Sequence, residues 1–185
     1  MITEVYHYTI EEIEGLIIYD FTTLSGVVYK VIFDYNHFRE NLPDFPQLLG
    51  NGYDFAFYCM SDKLIIDGAA ERNKRANDTK ISSTITSIIC HFFDTQDSSL
   101  ILLFQCDSSD KKQLFRHALF QRWHRKSSHK AQIHIKTIQV EIQVGKGVTD
   151  NRFMGYLYSS ANPNLEKVIM EFEDFLGNMI NSNVK

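Results

Sequence analysis

The sequence predicts an α+β sandwich in which a mostly antiparallel sheet, with an apolar strand at its centre, is flanked by helices. Alternating apolar residues predict strands, three stretches with apolar residues every three or four positions predict helices, and one continuously apolar segment predicts a strand buried on both faces. The predicted order is βββ-α-β-α-ββ-α. Because 185 residues at 44% hydrophobic content suffice for one core, we expect a single domain over 1–185 with its core at about 16–180.

The first three strands follow from a period of two. Apolar residues alternate with others over 17–22 and again over 27–35, and the intervening TTLSG predicts a hairpin turn. Pro43 and Pro46 mark an irregular connection. The same alternation over 53–59 then predicts the third strand.

The two central helices follow from helical spacing. Asp78 or Asn77 is a candidate N-cap for the first, whose apolar positions share one stripe. The segment 100–106 is continuously apolar and predicts the central strand. The second helix is expected from Asp110, in a D-x-x-Q capping box with Gln113. Its expected core anchors are Phe115, Leu119 and Trp123.

The C-terminal third predicts two strands and a helix. In the fifth strand, Ile133 and Ile135 follow one phase of alternation, whereas Ile138 and Val140 follow the other. A β-bulge near Thr137 would reconcile the two phases. FMGYLYSS predicts a sixth strand, and the last helix is expected at Pro163, with Asn162 as its cap.

Charge is distributed unevenly along the chain. Residues 1–60 hold nine acids against Lys30 and Arg39, whereas 111–140 contain eight cations and no acid. The cations are Lys111, Lys112, Arg116, Arg122, Arg125, Lys126, Lys130 and Lys136. This asymmetry predicts either a surface that faces anions or two faces of one domain that attract each other.

Several site classes find little support in the sequence. Cys59, Cys90 and Cys106 are widely spaced and form no C-x-x-C pair, which argues against a disulfide framework or a zinc site. His117 and His124 are about 10.5 Å apart along a helix, too far to share one metal ion. The N-terminus lacks a signal-peptide pattern and no apolar run could cross a bilayer, so we expect a cytoplasmic protein that does not bind membranes.

One segment concentrates chemically versatile side chains, and its candidate site consists of Cys106, Asp107, Asp110, Arg116 and Trp123. The two acids have a structural explanation, because carboxylates are favoured at a helix N-terminus. Arg116 lies on the apolar side of the predicted helix, where it serves either an ion pair or a ligand. Cys106 is interpreted as a buried thiol, since a nucleophile would need a nearby base and none has a recognisable spacing.

The pattern C-D-S-S-D-x-K-Q-x-x-R-x-x-x-F-x-x-W from Cys106 resembles a family of short bacterial proteins classified as a domain of unknown function. The preceding Y-K-V-I-F strand and the N-P before the last helix extend the resemblance over residues 16–176. Membership implies a single α/β domain and no established activity.

The element order also resembles that of acyl-CoA-dependent N-acetyltransferases. In that family the loop before the helix that follows the meander wraps the pyrophosphate of coenzyme A, which here corresponds to ERNKRANDTK. The resemblance implies acetyl coenzyme A as cofactor, held by Arg72, Lys74, Arg75 and Lys80, and entering between the strands at 53–60 and 100–106. The glycines that would let backbone amides approach phosphates are absent from this loop.

Three functions follow, in order of preference. The first is a non-catalytic binding domain without a cofactor, whose basic helix and loop at about 111–136 engage an acidic protein or polyanion through Arg122, Arg125, Lys126 and Lys130. The second is an acyl-CoA-dependent enzyme, active or degenerate. The third is nucleic-acid binding, which the interleaved aromatic residues favour and the overall acidity opposes.

Overall fold

The computed structural model describes residues 4–37, 44–60, 78–106, 111–127, 129–145 and 148–182, with the side chains of 142–145 and 179–182 outside that description. The strands are β1 (Tyr8–Ile13), β2 (Leu16–Thr22), β3 (Val28–Asp34), β4 (Gly52–Cys59), β5 (Ile101–Gln105), β6 (Ile133–Gly145) and β7 (Val148–Ser159). The helices are α1 (Pro46–Asn51), α2 (Thr79–Thr95), α3 (Gln113–Lys126) and α4 (Leu165–Ser182). Within these residues, no helix has the length and apolarity needed to span a bilayer.

The seven strands of the described residues form one sheet in the order β1-β2-β3-β4-β5-β7-β6. Every neighbouring pair is antiparallel except β4 and β5, which are parallel and are joined by the crossover helix α2. The predicted α+β class with a mostly antiparallel sheet is therefore confirmed. The predicted apolar strand is β5, in which Ile101 to Phe104 are buried on both faces.

Two elements were absent from the predicted order. The edge strand β1 pairs with β2 and has exposed residues over most of its length, so its sequence shows little apolar alternation. The short helix α1 occupies the connection predicted to be irregular. Its first turn is held by Glu171 of α4, whose carboxylate accepts the backbone N–H groups of Gln47 and Leu48 at 2.7 and 2.9 Å.

The larger core lies between α2 and the sheet. The Phe92 ring of α2 stacks on Phe33 of β3, with centroids 4.3 Å apart, and lies edge-on to Tyr53 of β4 at 5.2 Å. Asp78 caps α2 as expected, because its side chain accepts the Lys80 N–H at 3.0 Å. The apolar stripe of α2 therefore covers the face shared by β2, β3, β4 and β5.

A second core lies on the opposite face, under α4. Phe172 meets Tyr156 of β7 edge to face at 4.8 Å, and Val168 and Leu176 are buried with it. The helix begins at Leu165, two residues later than predicted, after a turn in which Asn162 Oδ1 accepts the N–H of Asn164 at 2.8 Å. β5, β7 and β6 thus contribute side chains to apolar cores on both faces of the sheet.

The predicted β-bulge near Thr137 is wrong. β6 pairs with β7 in continuous register from Ile133 to Gln143, and the only register shift in that described ladder lies between Gln143 and Gly145. Ile133 and Ile135 pack into the α2 core, whereas Ile138 and Val140 pack into the α4 core. The phase of the apolar residues changes because the strand passes from beneath one layer to beneath the other.

Candidate functional site

The helix α3 contacts the sheet through a stripe of polar side chains. His117 Nε2 lies 2.9 Å from Thr137 Oγ1, and Gln121 Nε2 donates to the same hydroxyl at 3.0 Å. His124 Nε2 donates to the carbonyl of Ile133 at 2.7 Å. Because residues at i, i+4 and i+7 share one helix face, these contacts with β6 fix the rotation of α3 about its axis.

Two aromatic residues of α3 pack beside this stripe. The Phe120 ring lies 5.2 Å from Phe104 of β5 and 5.4 Å from Phe57 of β4, and Trp123 lies 5.7 Å from Phe57. Trp123 thus packs against the core as predicted, although it is only half-buried.

The prediction of Phe115 as a core anchor is wrong. Its side chain is 63% exposed, Leu119 is half-buried, and α3 has no fully buried residue. At about 100° per residue, Phe115 lies about 160° around the helix from His117, which contacts the sheet. The polar stripe therefore turns Phe115 toward solvent.

The basic residues of the predicted partner surface are exposed. They are Arg122, Arg125 and Lys126 on α3 and Lys130 in the following turn. Arg125 and Lys126 lie in the last turn, where the helix dipole favours cations. We call these four residues the basic surface.

Across the described parts of the chain, the recorded salt bridges use other cations. They are Lys30–Asp20 at 2.9 Å, Lys80–Glu4 at 3.1 Å, Lys136–Glu173 at 3.2 Å and Arg152–Asp150 at 3.4 Å. Lys136, which the sequence placed at the end of the basic segment, therefore pairs with α4 on the other face of the sheet. Asp20 and Glu4, from the acidic first third, pair with Lys30 and Lys80 rather than with the basic surface.

The predicted capping box at the start of α3 is wrong, because the N-cap is not Asp110. The helix begins at Gln113, its N-cap is Lys112, and the Lys112 side chain makes no capping hydrogen bond. Gln113 instead donates to the carbonyl of Asn151 on β7 at 3.1 Å. Asp107 and Asp110 lie outside the described residues.

Cys106 is buried, with 2% of its surface exposed. Burial raises the pKa of the Cys106 thiol to about 11, although the nearby positive charge of Arg116 partly opposes this rise. The thiol is therefore protonated near neutral pH, as the buried-thiol interpretation requires. The fold brings Cys106 and Arg116 together, while Trp123 packs two helical turns further along α3, against β4.

The loop predicted to bind phosphate is described only at its end. Arg72, Lys74 and Arg75 lie outside the described residues. Lys80 pairs with Glu4 and lies 5.0 Å from the centre of the Tyr6 ring. The other oxygen of the Asp78 cap accepts the Tyr6 hydroxyl at 2.7 Å, so a carboxylate already occupies the N-terminus of α2.

The parallel ladder between β4 and β5 is short. It pairs Gly52–Asp54 with Ile101–Leu103, although β4 continues to Cys59 and β5 to Gln105. Phe120 contacts both strands beyond the last pair, through Phe57 and Phe104. β4 and β5, between which a transferase cofactor would enter, are therefore not paired with each other over their C-terminal halves, although β4 stays paired with β3 and β5 with β7.

The sequence did not predict a small apolar cavity between α2 and α3. Its volume is about 40 Å³, and Ile85 and Ile89 of α2 face Trp123 and His124 of α3 across it. Helical spacing indicates which residues face the sheet but does not predict how closely two helices approach.

A pair of carboxylates on the other side of the sheet was also missed. Asp34 and Asp54 are directly opposite each other in the ladder of β3 and β4. Burial raises the pKa of Asp54, with a further rise from the charge of Asp34 and a lowering from His37. Among the described residues, no three His, Cys, Asp or Glu side chains form a group able to hold a metal ion.

The comparisons with known proteins identify one family. The profile of a family of unknown function (DUF6169) matches residues 77–174, from the start of α2 into α4 and over more than half of the chain. No curated protein and no solved structure matches the sequence. The family match includes the C-D-S-S-D motif and the whole of α3, and the chain belongs to this family of unknown function.

Proposed function

We propose that the protein is a non-catalytic binding module whose basic surface engages an acidic protein or polyanion. One observation carries the proposal: Arg122, Arg125, Lys126 and Lys130 are exposed, and in the described part of the chain no salt bridge involves them. Unneutralised cations clustered on one surface attract anions and speed their association.

The inner contacts of α3 add a second support. Hydrogen bonds made by His117, Gln121 and His124 attach the helix to β6, so the backbone positions of its cations are set relative to the sheet. A partner then orders fewer backbone groups on binding, which reduces the entropic cost of association.

Polyglutamate is a suitable acidic probe for this surface. We expect the purified protein to bind it at low salt and to lose affinity as salt rises, because exposed charges are screened. The variant Arg122→Glu/Arg125→Glu/Lys126→Glu should lose this binding and keep its fold. Fluorescence anisotropy measures the binding, and circular dichroism checks the fold.

A matched pair of single substitutions controls for net charge. Lys126→Glu on α3 and Lys167→Glu on α4 change the net charge by the same amount at exposed helical positions. Only the first should weaken binding. Equal effects would show a response to overall charge and contradict the proposal. Tighter binding of single- or double-stranded DNA than of polyglutamate, with a steeper salt dependence, would favour a nucleic-acid partner instead.

One observation favours acyl-CoA binding as a second candidate. β4 and β5 are not paired with each other beyond Asp54 and Leu103, which leaves the backbone groups that each strand turns toward the other available to a ligand at the C-terminal ends of parallel strands. Under this candidate, Phe120 would lie beside the bound thioester arm.

Thermal unfolding with acetyl coenzyme A tests the second candidate. A ligand at about 100 times its Kd stabilises the native state by about 2.7 kcal/mol, which raises Tm by several degrees. ATP serves as a control for non-specific anion binding. A rise with acetyl coenzyme A alone would support the transferase-like function, and no rise would remove it.

A further inference from the structure

The outer side of α3 carries more than cations. Leu114 and Phe115 are 64% and 63% exposed, and Ala118 beside them is exposed as well. Large apolar side chains exposed together next to arginine are typical of protein interfaces rather than of ordinary surface. Phe115, which the sequence assigned to the core, and its neighbour Leu114 are therefore available to pack against a partner.

These side chains and the cations form one strip. At about 100° per residue, the exposed residues of α3 fall within about 120° of the helix circumference. They are Leu114, Phe115, Ala118, Arg122, Arg125 and Lys126. We call this set the outer strip. Its N-terminal half is apolar and its C-terminal half is basic.

The two halves are separated by a short distance along the helix axis. Phe115 and Arg122 are seven residues apart, about 10.5 Å at the rise of an α-helix. A partner must therefore present an apolar group and a carboxylate with a matching separation. Within residues 111–127 the chain has no acid, so the outer strip itself carries no negative charge.

We infer that the partner is an acidic amphipathic helix that packs antiparallel along the outer strip. Its N-terminal half carries the carboxylates that meet Arg122, Arg125 and Lys126, and its C-terminal half carries the apolar residues that cover Leu114 and Phe115. The inference rests on the proposed function and specifies the partner of the same surface.

The antiparallel direction follows from helix electrostatics. Carboxylates are favoured near a helix N-terminus and cations near a helix C-terminus, through the partial charges of the terminal peptide groups. Antiparallel packing brings the N-terminal half of the partner beside the basic C-terminal half of α3. Each helix then carries its charges at the end that its own dipole favours, and the two sets attract each other.

Labelled peptides of about 18 residues, long enough to form a helix on binding, test this inference. The first carries glutamates in its N-terminal half and leucines on the same face of its C-terminal half. The second replaces the leucines by serine, and the third reverses the order of the two halves. Anisotropy gives the affinity of each for the wild-type protein, for Leu114→Ser/Phe115→Ser and for Arg122→Glu/Arg125→Glu/Lys126→Glu.

We expect the leucine peptide to bind the wild type with an affinity at least about ten times that of the serine peptide, because the leucines bury apolar surface. Leu114→Ser/Phe115→Ser should remove that advantage and leave binding of the serine peptide unchanged. The reversed peptide should bind more weakly than the first. The charge-reversal variant should lose all three peptides.

The outcomes separate the two proposals. If Leu114→Ser/Phe115→Ser binds the leucine peptide as the wild type does, while charge reversal abolishes binding, the helical partner is excluded and the basic surface stands. Binding that survives charge reversal overturns the proposed function itself. Equal binding of the forward and reversed peptides overturns the antiparallel direction, and binding to anionic lipid vesicles but to none of the peptides overturns the helical partner.

Discussion

α2 and α3 lie on the same face of the sheet, yet they are attached to it differently. α2 buries eight residues, including Ile88 and Phe92, and its buried stripe is mostly apolar. α3 buries none and is held by hydrogen bonds to Thr137 and to the Ile133 carbonyl, together with Phe120 and Trp123. The first helix belongs to the core, whereas the second is a surface element with a defined orientation.

The difference suggests a division of roles. Burial of apolar surface is the main favourable term in folding, so α2 contributes stability. The apolar side chains at the start of α3 are instead exposed, and its last turn is basic. α3 therefore contributes little to stability for its length and leaves a charged, partly apolar side for a partner.

The largest expected contrast compares one phenylalanine on each helix. Phe92→Ala in α2 removes a fully buried ring stacked on Phe33 and should cost about 3 to 5 kcal/mol of unfolding free energy. Phe115→Ala in α3 should change it by less than about 0.5 kcal/mol, because that ring is mostly in water. Urea denaturation measures both, and similar losses would show that α3 is part of the core.

Reactivity of the buried cysteines compares how readily α2 and α3 open locally. Cys90 lies on α2, and Cys106 precedes α3 near Arg116. We expect local opening of α3 to cost at least about 1.4 kcal/mol less than global unfolding. Because that opening would expose Cys106 and not Cys90, Cys106 should react with a thiol reagent about tenfold faster than Cys90. Mass spectrometry of the labelled peptides gives both rates, and equal rates would mean that the two helices open together.

The same cysteines predict the behaviour of stability at high pH. Burial raises the pKa of Cys90 to about 12 and that of Cys106 to about 11, from an ordinary value of 9.0. Because the unfolded chain then loses its thiol protons first, stability falls as pH rises through this range. Cys90→Ala and Cys106→Ala should each make the alkaline decline shallower, and an unchanged slope would contradict the burial of that thiol.

A smaller effect is expected where α3 is hydrogen-bonded to the sheet. Thr137→Val removes the hydroxyl shared by His117 and Gln121 and should cost about 1 kcal/mol. Thr137→Ser keeps the hydroxyl and should recover most of that loss. Chemical denaturation compares the three proteins. A valine variant as stable as the wild type would show that these hydrogen bonds do not stabilise the attachment of α3 to the sheet.

The smallest effect concerns the basic surface itself. Lys126→Glu places an acid in the last turn of α3, where the helix dipole disfavours it, and should cost about 0.3 to 1 kcal/mol at low salt. Lys167→Glu, in the first turns of α4, should be neutral or slightly stabilising. Thermal unfolding at low and high salt tests the pair, because a dipole effect weakens as salt screens it.

The two helices also show which parts of the fold can be predicted from the sequence. The apolar residues of α2 occupy one stripe, so its buried face followed from their spacing, and its start followed from Asp78 as a candidate cap. In α3 the apolar residues are spread over about 240° of the helix circumference, and the polar contacts made by His117 and Gln121 decide which side faces the sheet. Those contacts involve Thr137 on another strand, which local spacing does not reveal.

The candidate site was predictable in part for a similar reason. The absence of acids near Arg122, Arg125 and Lys126 is visible in the sequence, whereas the pairing of Lys136 with Glu173 depends on α4 packing beside β6. Ile133 and Val140 likewise face different cores because the sheet is covered on both sides in that region. Long-range contacts, rather than local propensities, account for these differences.

Amide chemical-shift mapping tests the central claim most directly. Titration of the isotope-labelled protein with the acidic leucine peptide should shift the amides of α3 and of the turn around Lys130, and leave those of α2 unchanged. Shifts centred on the N-terminus of α2 around Lys80, or no shifts at a saturating concentration of peptide, would contradict the assignment of the basic surface on α3 as the docking site.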